Sequence, residues 1–352
     1  MAVPEPELPR FHSDAELSLE LPPALREWVL RAAQSGGSAA ASADVSSVDY
    51  YDNYNLPSTI RVELTDGRGV ALRRGSRSGS VSLEAAAFAL LADVGLPVPT
   101  VLAGPAGPSE LPSEADDCLL VAELPGINLQ KLSMIAGETG HAVRLLGEAV
   151  DRLLAIGPAC RAHPAAGQFP VLSLRDELCE VEAADNGASW LRHPEFASSY
   201  RATGRLLADA EHTERQFTAL FGDLQPANFL AARGEAHVEA GWQLTGFLDY
   251  EGAAFRDVLL GLAKYKTHDL HPLNKAGAVE AWLAKRGVPS AQFAVRVAVW
   301  CLRTLAKEVA PPPGQASGGD GETRDGGEDE AYREHLLRLL RESLQECTGG
   351  SL

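Results

Sequence analysis

The chain has 352 residues, more than a single hydrophobic core usually serves, so division into two lobes is expected. A hydrophobic share of 45% is ordinary for a globular protein, and a formal charge of −17 argues against the clustered basic face that nucleic acid requires; it suits plain solubility or a small cationic substrate. Cys118, Cys160, Cys179, Cys301 and Cys347 form no C-x-x-C pair, and neither an 18-residue apolar run nor a leader pattern occurs, so a cytoplasmic protein that keeps off the membrane is expected.

Residues 1–20 are polar and proline-bearing and read as a loosely held arm. Pro22 and Pro23 then open a helix in which Leu25, Trp28, Val29 and Ala32 recur at helical spacing. The stretch 35–58 is small and polar up to Tyr50, Tyr51 and Tyr54, and it holds no G-x-G-x-x-G that would mark a phosphate-covering loop. Beyond it Ile60, Val62 and Leu64 alternate, Asp66-Gly67 marks a tight turn, and Val70 to Arg73 starts the return strand of a hairpin. Arg73 and Arg74 should point to opposite faces there, and a solvated arginine pair at a strand end is one account of them. Ser80 or Ser82 caps the next helix and Gly95 stops it. Glu84 lies near its start, where the helix dipole alone favours a carboxylate.

Leu96 to Gly104 reads as the start of a strand, 105–117 as a proline-rich loop, and Cys118 to Leu124 as an apolar strand running into Pro125-Gly126. From residue 137 the chain turns helical, with Val143, Leu146, Val150, Leu153 and Leu154 on one stripe. Two more helical stretches cover 173–191 and 195–220. On the first, Glu177, Glu180, Glu182 and Asp185 are either a solvated acidic face or a meeting place for a cation.

The chemistry concentrates in FGDLQPANFL at 221–230 and GWQLTGFLDYE at 241–251. Asp223, Asn228 five residues later, and Asp249 are the types a phosphoryl-transfer site uses. One carboxylate orients a hydroxyl nucleophile, while an amide and a second carboxylate hold Mg²⁺ on the nucleotide phosphates. Asp-x-x-x-x-Asn alone also describes a turn. His268 and His271 flank Asp269 without a third spaced ligand, so a loop explains them better than a metal. An apolar helix containing Trp300 runs to the prolines at 311–313. A Gly- and acid-rich linker at about 311–329 then leads to a terminal helix at about 330–346, amphipathic through Tyr332, Leu336, Leu340 and Leu344.

These blocks resemble the catalytic and metal-binding loops of the aminoglycoside phosphotransferase and choline kinase-like family, whose usual forms are close to HGDxHxxN and (I/L)DWE. Gly222, Asp223, Pro226 and Asn228 match, as do Leu248, Asp249 and Glu251; Asp257, Leu262 and Ala263 match its GDPxxDLA segment, whereas Arg256 and Gly261 do not. Phe221 stands in place of the usual His before the catalytic Gly-Asp, and Gln225 where His or Cys is frequent. The resemblance spans roughly residues 56–310. It implies an α+β, bilobal protein-kinase-like fold with a small antiparallel β lobe and a larger, mainly helical lobe. Residues 1–124 would form the nucleotide-binding lobe with its N-terminal helical arm, and 125–352 the catalytic and acceptor-binding lobe.

By the same resemblance Asp223 is the catalytic base, and Asn228 and Asp249 are the metal ligands. Val70 to Arg73 resembles the kinase V-A-I-K strand, which gives Arg73 the place of the phosphate-reaching lysine and Glu84 the place of its ion-pair partner. The swap is not neutral, because a guanidinium is longer and planar. A hinge near 122–126 would offer main-chain groups of Ala122 and Leu124 to the base, and the nucleotide loop would lie between the first two strands. The expected function is an ATP- or GTP-dependent, Mg²⁺-requiring O-phosphotransferase. Its acceptor is a hydroxyl-bearing small molecule, such as an aminoglycoside, a peptide antibiotic or a metabolite. The rival is a pseudokinase that binds nucleotide or a small ligand without turnover, suggested by Phe221, Arg73 and Gly261. The sequence leaves oligomeric state and acceptor identity open.

Overall fold

The computed structural model describes residues 21–50, 59–75, 80–106, 118–184, 190–214, 216–234, 241–267, 272–308 and 326–349. In chain order the elements begin α1 (Pro23–Ser35), β1 (Val45–Tyr50), β2 (Thr59–Leu64), β3 (Gly69–Arg74), α2 (Ser80–Asp93), β4 (Val101–Ala106), β5 (Cys118–Ala122), β6 (Ile127–Asn128), α3 (Leu129–Met134) and α4 (Thr139–Ala162). They continue α5 (Leu174–Ala184), α6 (Pro194–Glu214), β7 (Thr218–Phe221), β8 (Phe229–Arg233), β9 (Trp242–Phe247), β10 (Ala254–Asp257), α7 (Val258–Thr267), α8 (Pro272–Lys275), α9 (Ala278–Arg286), α10 (Ser290–Glu308) and α11 (Gly326–Cys347). Two compact units contain them: Met1–Phe169 with Phe221–Ala253, and Pro170–Leu220 with Ala254–Leu352. The cut expected at residue 124 lies inside the first unit.

The first unit is built on an antiparallel sheet in the order β1-β2-β3-β5-β4. Period-2 alternation divides its residues between two faces. Ile60, Val62 and Leu64 of β2, Val70 and Leu72 of β3, and Cys118 and Leu120 of β5 form one buried cluster with Leu25, Trp28, Val29, Ala32 and Ala33 of α1. The helical stripe read from the sequence is thus the face that covers the sheet, and each large buried side chain contributes about 1.5–3 kcal/mol. Register places Thr59, Arg61 and Glu63 opposite Arg73, Ala71 and Gly69, and Ala71 and Arg73 opposite Val121 and Leu119. These residues share the second face. The hairpin turn closes with Gly67 at φ 84° and its N–H donating to the Leu64 carbonyl. α2 ends where Gly95 takes φ 86° and the N–H of Leu96 reaches the Leu91 carbonyl. Ser80 is already helical, and the residues before it lie outside the described ones.

A second, three-stranded sheet runs β6-β8-β9, and α3 and α4 pack beside it in the same unit. The buried stripe of α4 is Ala142, Leu145, Leu146, Ala149, Val150, Leu153, Gly157 and Cys160. Val143 and Leu154 are only half-buried, which corrects the expected stripe. Ala142, Ala149 and Gly157 are buried on this stripe although such small residues weigh little in hydropathy.

The second unit is helical around α10, which packs against α5, α6, α7 and α11, beside a ladder of β7 and β10. Leu336, Leu340 and Leu344 of α11 are buried. Asp257 and Arg296 are both buried; Arg296 Nε and Nη2 donate to Asp257 Oδ2 at 3.1 and 2.8 Å, while Oδ1 accepts the N–H groups of Leu259 and Leu260 at the start of α7. Of the acidic residues of α5, Glu182 is exposed as a solvated face would have it, whereas Glu177 is buried and Glu180 half-buried against cations of α10. Glu177 is buried with Arg303 Nη1 at 2.9 Å, Glu180 meets Arg303 Nη2 at 3.1 Å and also Lys307, and Glu182 accepts the Tyr200 hydroxyl at 2.9 Å. Asp185, His268, His271 and the expected linker core at 311–325 lie outside the described residues. Among the described residues, no helix is long and apolar enough to cross a membrane.

Candidate active site

Pairing of β8 with β9 brings the site together. Phe229 lies opposite Phe247, their rings edge to face at 5.4 Å, and the ladder extends one step further as the N–H of Leu248 donates to the Asn228 carbonyl at 2.8 Å. Asp249 therefore emerges next to Asn228. Asn228 Nδ2 donates to Asp249 Oδ2 at 3.2 Å and to the Asp223 carbonyl at 3.1 Å, so one amide ties the two loops. Gly222 explains why the residue before Asp223 is small: a Cβ there would fall 2.1 Å from the Asp249 carbonyl oxygen. Asp249 itself has φ 62°, the only left-handed non-glycine among the described residues. Such strain costs about 1–3 kcal/mol and persists where surrounding contacts impose it. Gln225 Nε2 donates to Asp223 Oδ2. Phe221 is buried, 3% exposed, directly before this loop.

Arg73, on the second face of the large sheet, reaches the same place. Its Nη2 is 3.3 Å from Asp249 Oδ1, its Nη1 is 3.4 Å from Thr59 Oγ1, and its Nε is 2.7 Å from Glu84 Oε2. The last is an ion pair by distance whose donor direction falls short of a hydrogen bond. Glu84, fully buried on α2, uses its other oxygen to accept the N–H of Tyr250 at 3.1 Å. Strand, helix and the loop after β9 are thus joined through two side chains, while Arg74 is exposed.

The electrostatics are those of crowded acids around one base. Burial pushes the Glu84 carboxyl up to about 7, against the pull of Arg73 and the Tyr250 N–H, with Asp249 and Glu251 adding to the rise. Burial also raises Asp249, and Asp223 and Glu251 add to this against Arg73 and Asn228. For Arg73, burial favours loss of its proton, yet the carboxylates of Glu84, Asp249 and Glu251 outweigh it and hold the proton more firmly than usual. Several carboxylates therefore converge on the one guanidinium of Arg73. The Asp249 carboxylate, 31% exposed, and the Asn228 amide oxygen are hard donors of the kind Mg²⁺ takes alongside nucleotide phosphates, so these residues fit that ion. Among the described residues, no cluster of three His, Cys, Asp or Glu side chains offers a complete protein cage for a metal.

Main-chain bonds fix the segment at 122–126 on both sides. The Ala122 N–H donates to Thr100 O at 2.9 Å, the Glu123 N–H to Gly69 O at 3.2 Å, and Thr245 Oγ1 to Pro125 O at 2.6 Å. Gly126, at φ 119°, passes so near Ala231 that a Cβ would fall 2.4 Å from its carbonyl oxygen. Among the described residues, no hydrogen bond reaches the Leu124 main chain.

The sequence model of the phosphotransferase enzyme family (APH) matches residues 55–265. The chain belongs to this family. Its fold is the protein-kinase-like α+β fold of solved aminoglycoside phosphotransferases, with a small antiparallel sheet lobe and a larger helical portion. A thermostable mutant of APH(4)-Ia, in a ternary complex with AMP-PNP and hygromycin B, superposes with TM-score 0.54 at 15% identity over 88% of this chain and 96% of that one. A structure of aminoglycoside phosphotransferase APH(4)-Ia gives 0.56 at 13% identity over 92% and 98%. The GDP and kanamycin complex of APH(2")-IIia gives 0.52 at 14% identity over 93% and 99%. No curated protein matches the chain by sequence.

Asp223, Asn228, Asp249, Arg73 and Glu84, picked from separate stretches of this family member, gather in one network, and Ala122 and Leu124 occupy the anchored segment. The loop between β1 and β2, where the nucleotide loop was expected, lies at 51–58, outside the described residues. Sequence reasoning missed the contacts of Thr59, Gln225 and the Tyr250 N–H. Gln225 carried a signal, since it stands two residues after Asp223 where the family has a polar ring or thiol; Thr59 and a main-chain donor carried none.

Proposed function

We propose that the protein is an ATP- or GTP-dependent O-phosphotransferase acting on a hydroxyl of a small molecule, an antibiotic or a metabolite. The observation that carries this reading is the continuous chain Glu84–Arg73–Asp249–Asn228–Asp223, which joins a strand cation, two oxygen donors for a metal and a further carboxylate on the neighbouring loop. The family supports phosphoryl transfer, and the hygromycin B and kanamycin seen in the related structures support a small hydroxyl-bearing acceptor.

In this reading residues 1–124 form the nucleotide lobe. The Ala122 and Leu124 main chain meets the base, and Arg73, steadied by Glu84, meets the phosphates. Asp249 and Asn228 would hold Mg²⁺, which supplies charge neutralisation at the β- and γ-phosphate oxygens. Gln225 holds one Asp223 oxygen, which fixes the carboxylate's rotation. Asp223 accepts the acceptor's hydroxyl proton as the oxygen bonds to the γ-phosphorus in line, and the bond to the bridging oxygen breaks to release the nucleoside diphosphate. Asp223→Asn is expected to lower phosphate transfer by about 10²–10⁴-fold while nucleotide affinity is kept. Equal transfer by wild type and variant would overturn the assignment.

One observation favours a second reading, a pseudokinase. Arg73 already rests on Asp249, where a lysine would reach one partner at a time, so a resident cation partly occupies the metal carboxylate. Wild type that binds Mg²⁺-nucleotide yet transfers phosphate to none of a panel of aminoglycosides, peptide antibiotics, nucleosides and amino alcohols would establish that alternative.

A further inference from the structure

On the sheet face that carries Arg73, a second arginine is bound in an unusual way. Arg61 of β2 donates from Nε to Glu123 Oε1 at 2.7 Å and from Nη1 to Glu63 Oε2 at 3.2 Å. Glu123 belongs to the anchored segment after β5, and β3 lies between β5 and β2. An ion pair that spans an intervening strand needs that strand to be bare at the crossing, and Gly69 makes it so. A Cβ built on Gly69 would fall 1.7 Å from Glu123 Oε2, inside the space the carboxylate fills. The Glu123 N–H donates to the carbonyl of the same glycine. Glu123 is therefore pinned by main chain and side chain together, one residue from Ala122 and one from Leu124.

We propose that Arg61, Gly69 and Glu123 form a clamp that sets the height and tilt of the segment at 122–124, and so determine affinity for the base end of the nucleotide. The clamp rests on the reading of that segment as the base-contacting hinge. Arg61 and Glu123 are positioning residues, since they act through the main chain of their neighbours. The pair is partly screened, with side chains 33% and 25% exposed, so its effect is moderate in size.

Calorimetric titration of Mg²⁺-ATP, Mg²⁺-GTP and Mg²⁺-tripolyphosphate into the full chain separates the possibilities, because tripolyphosphate has no base. Arg61→Met, Glu123→Gln and Gly69→Ala are each expected to weaken binding of at least one nucleoside triphosphate by about three- to tenfold and leave tripolyphosphate unchanged. The reversed pair, Arg61→Glu with Glu123→Arg, is expected to regain nucleotide affinity that either reversal alone loses. Unchanged nucleotide binding in all three single variants overturns the clamp while leaving the proposed function intact, and equal weakening of nucleotide and tripolyphosphate overturns it in favour of a scaffolding role. Wild type that binds none of the three probes removes the proposed function and the clamp with it.

Discussion

Two buried acid–base assemblies, one in each compact unit, are built to opposite specifications. In the second unit Asp257 and Arg296 balance one to one. Each carboxylate oxygen takes two donors, and Arg296 Nη1 spends its proton on the Gln292 carbonyl. In the first unit Arg73 faces Glu84 and Asp249 directly, with Asp223 and Glu251 close enough to add their charge. The Arg73–Glu84 contact lacks hydrogen-bond direction, and Asp249 sits in a strained left-handed conformation. The Asp257–Arg296 pair is finished by the chain itself, as a structural pair must be when desolvation is costly. The other gathers several carboxylates around Arg73, an arrangement suited to a site that receives a cation and an anionic nucleotide.

The comparison breaks most readily at the finished pair. Asp257→Ala leaves the Arg296 guanidinium buried with no counter-charge and uncaps α7, so a loss of about 3–5 kcal/mol is expected in urea unfolding. The variant that still folds should keep its nucleotide affinity. A loss below about 1 kcal/mol would show that the pair is replaceable and the contrast false.

The unfinished assembly should respond to pH instead. Glu84 titrates at about 7 in the folded chain and near 4.5 when exposed, so between those values the folded state holds a proton the unfolded state has released. Its stabilising contribution is present in full below about pH 4.5 and is lost as pH rises through about 7. That amounts to roughly 1.4 kcal/mol per pH unit and up to about 3 kcal/mol across the window. Glu84→Gln carries no proton to lose, so wild type should fall relative to the variant over this range in metal-free unfolding experiments. Parallel stability profiles from pH 4.5 to 7.5 would remove Glu84 as the source.

The residues of the Arg73 assembly were named from the sequence, while the Asp257–Arg296 pair was not, and the limits are physical. Asp223, Asn228 and Asp249 could be picked because their spacing is imposed by a short loop and a strand pair, both local features. The hairpin and α1 followed from alternation and helical period, since one face of each is uniformly apolar. The α4 stripe was misplaced because alanine and glycine pack tightly without announcing it in hydropathy. The α5 carboxylates were unreadable because their partners, Arg303 and Lys307, lie more than 120 residues away on α10. The clamp across Gly69 was hidden for the same reason, as its logic exists only once strand order is known.

The smallest of these effects bears most directly on what the converging carboxylates are for. Mg²⁺-ATP at 100 times its dissociation constant should raise wild-type stability by about 2.7 kcal/mol, the mass-action value for a ligand that binds only the folded state. Asp249→Asn keeps the volume and the left-handed tolerance of the residue but removes the charge that a metal would use. The variant's free chain should be no less stable than wild type, because one of the crowded carboxylates is gone and burial already opposes its ionisation. Its gain from Mg²⁺-ATP should shrink toward the gain from ATP with EDTA, while wild type retains the full difference between the two. If Asp249→Asn destabilises the free chain and leaves the Mg²⁺-dependent gain untouched, the carboxylate serves Arg73 alone. The Arg73 assembly would then be a structural pair like Asp257–Arg296.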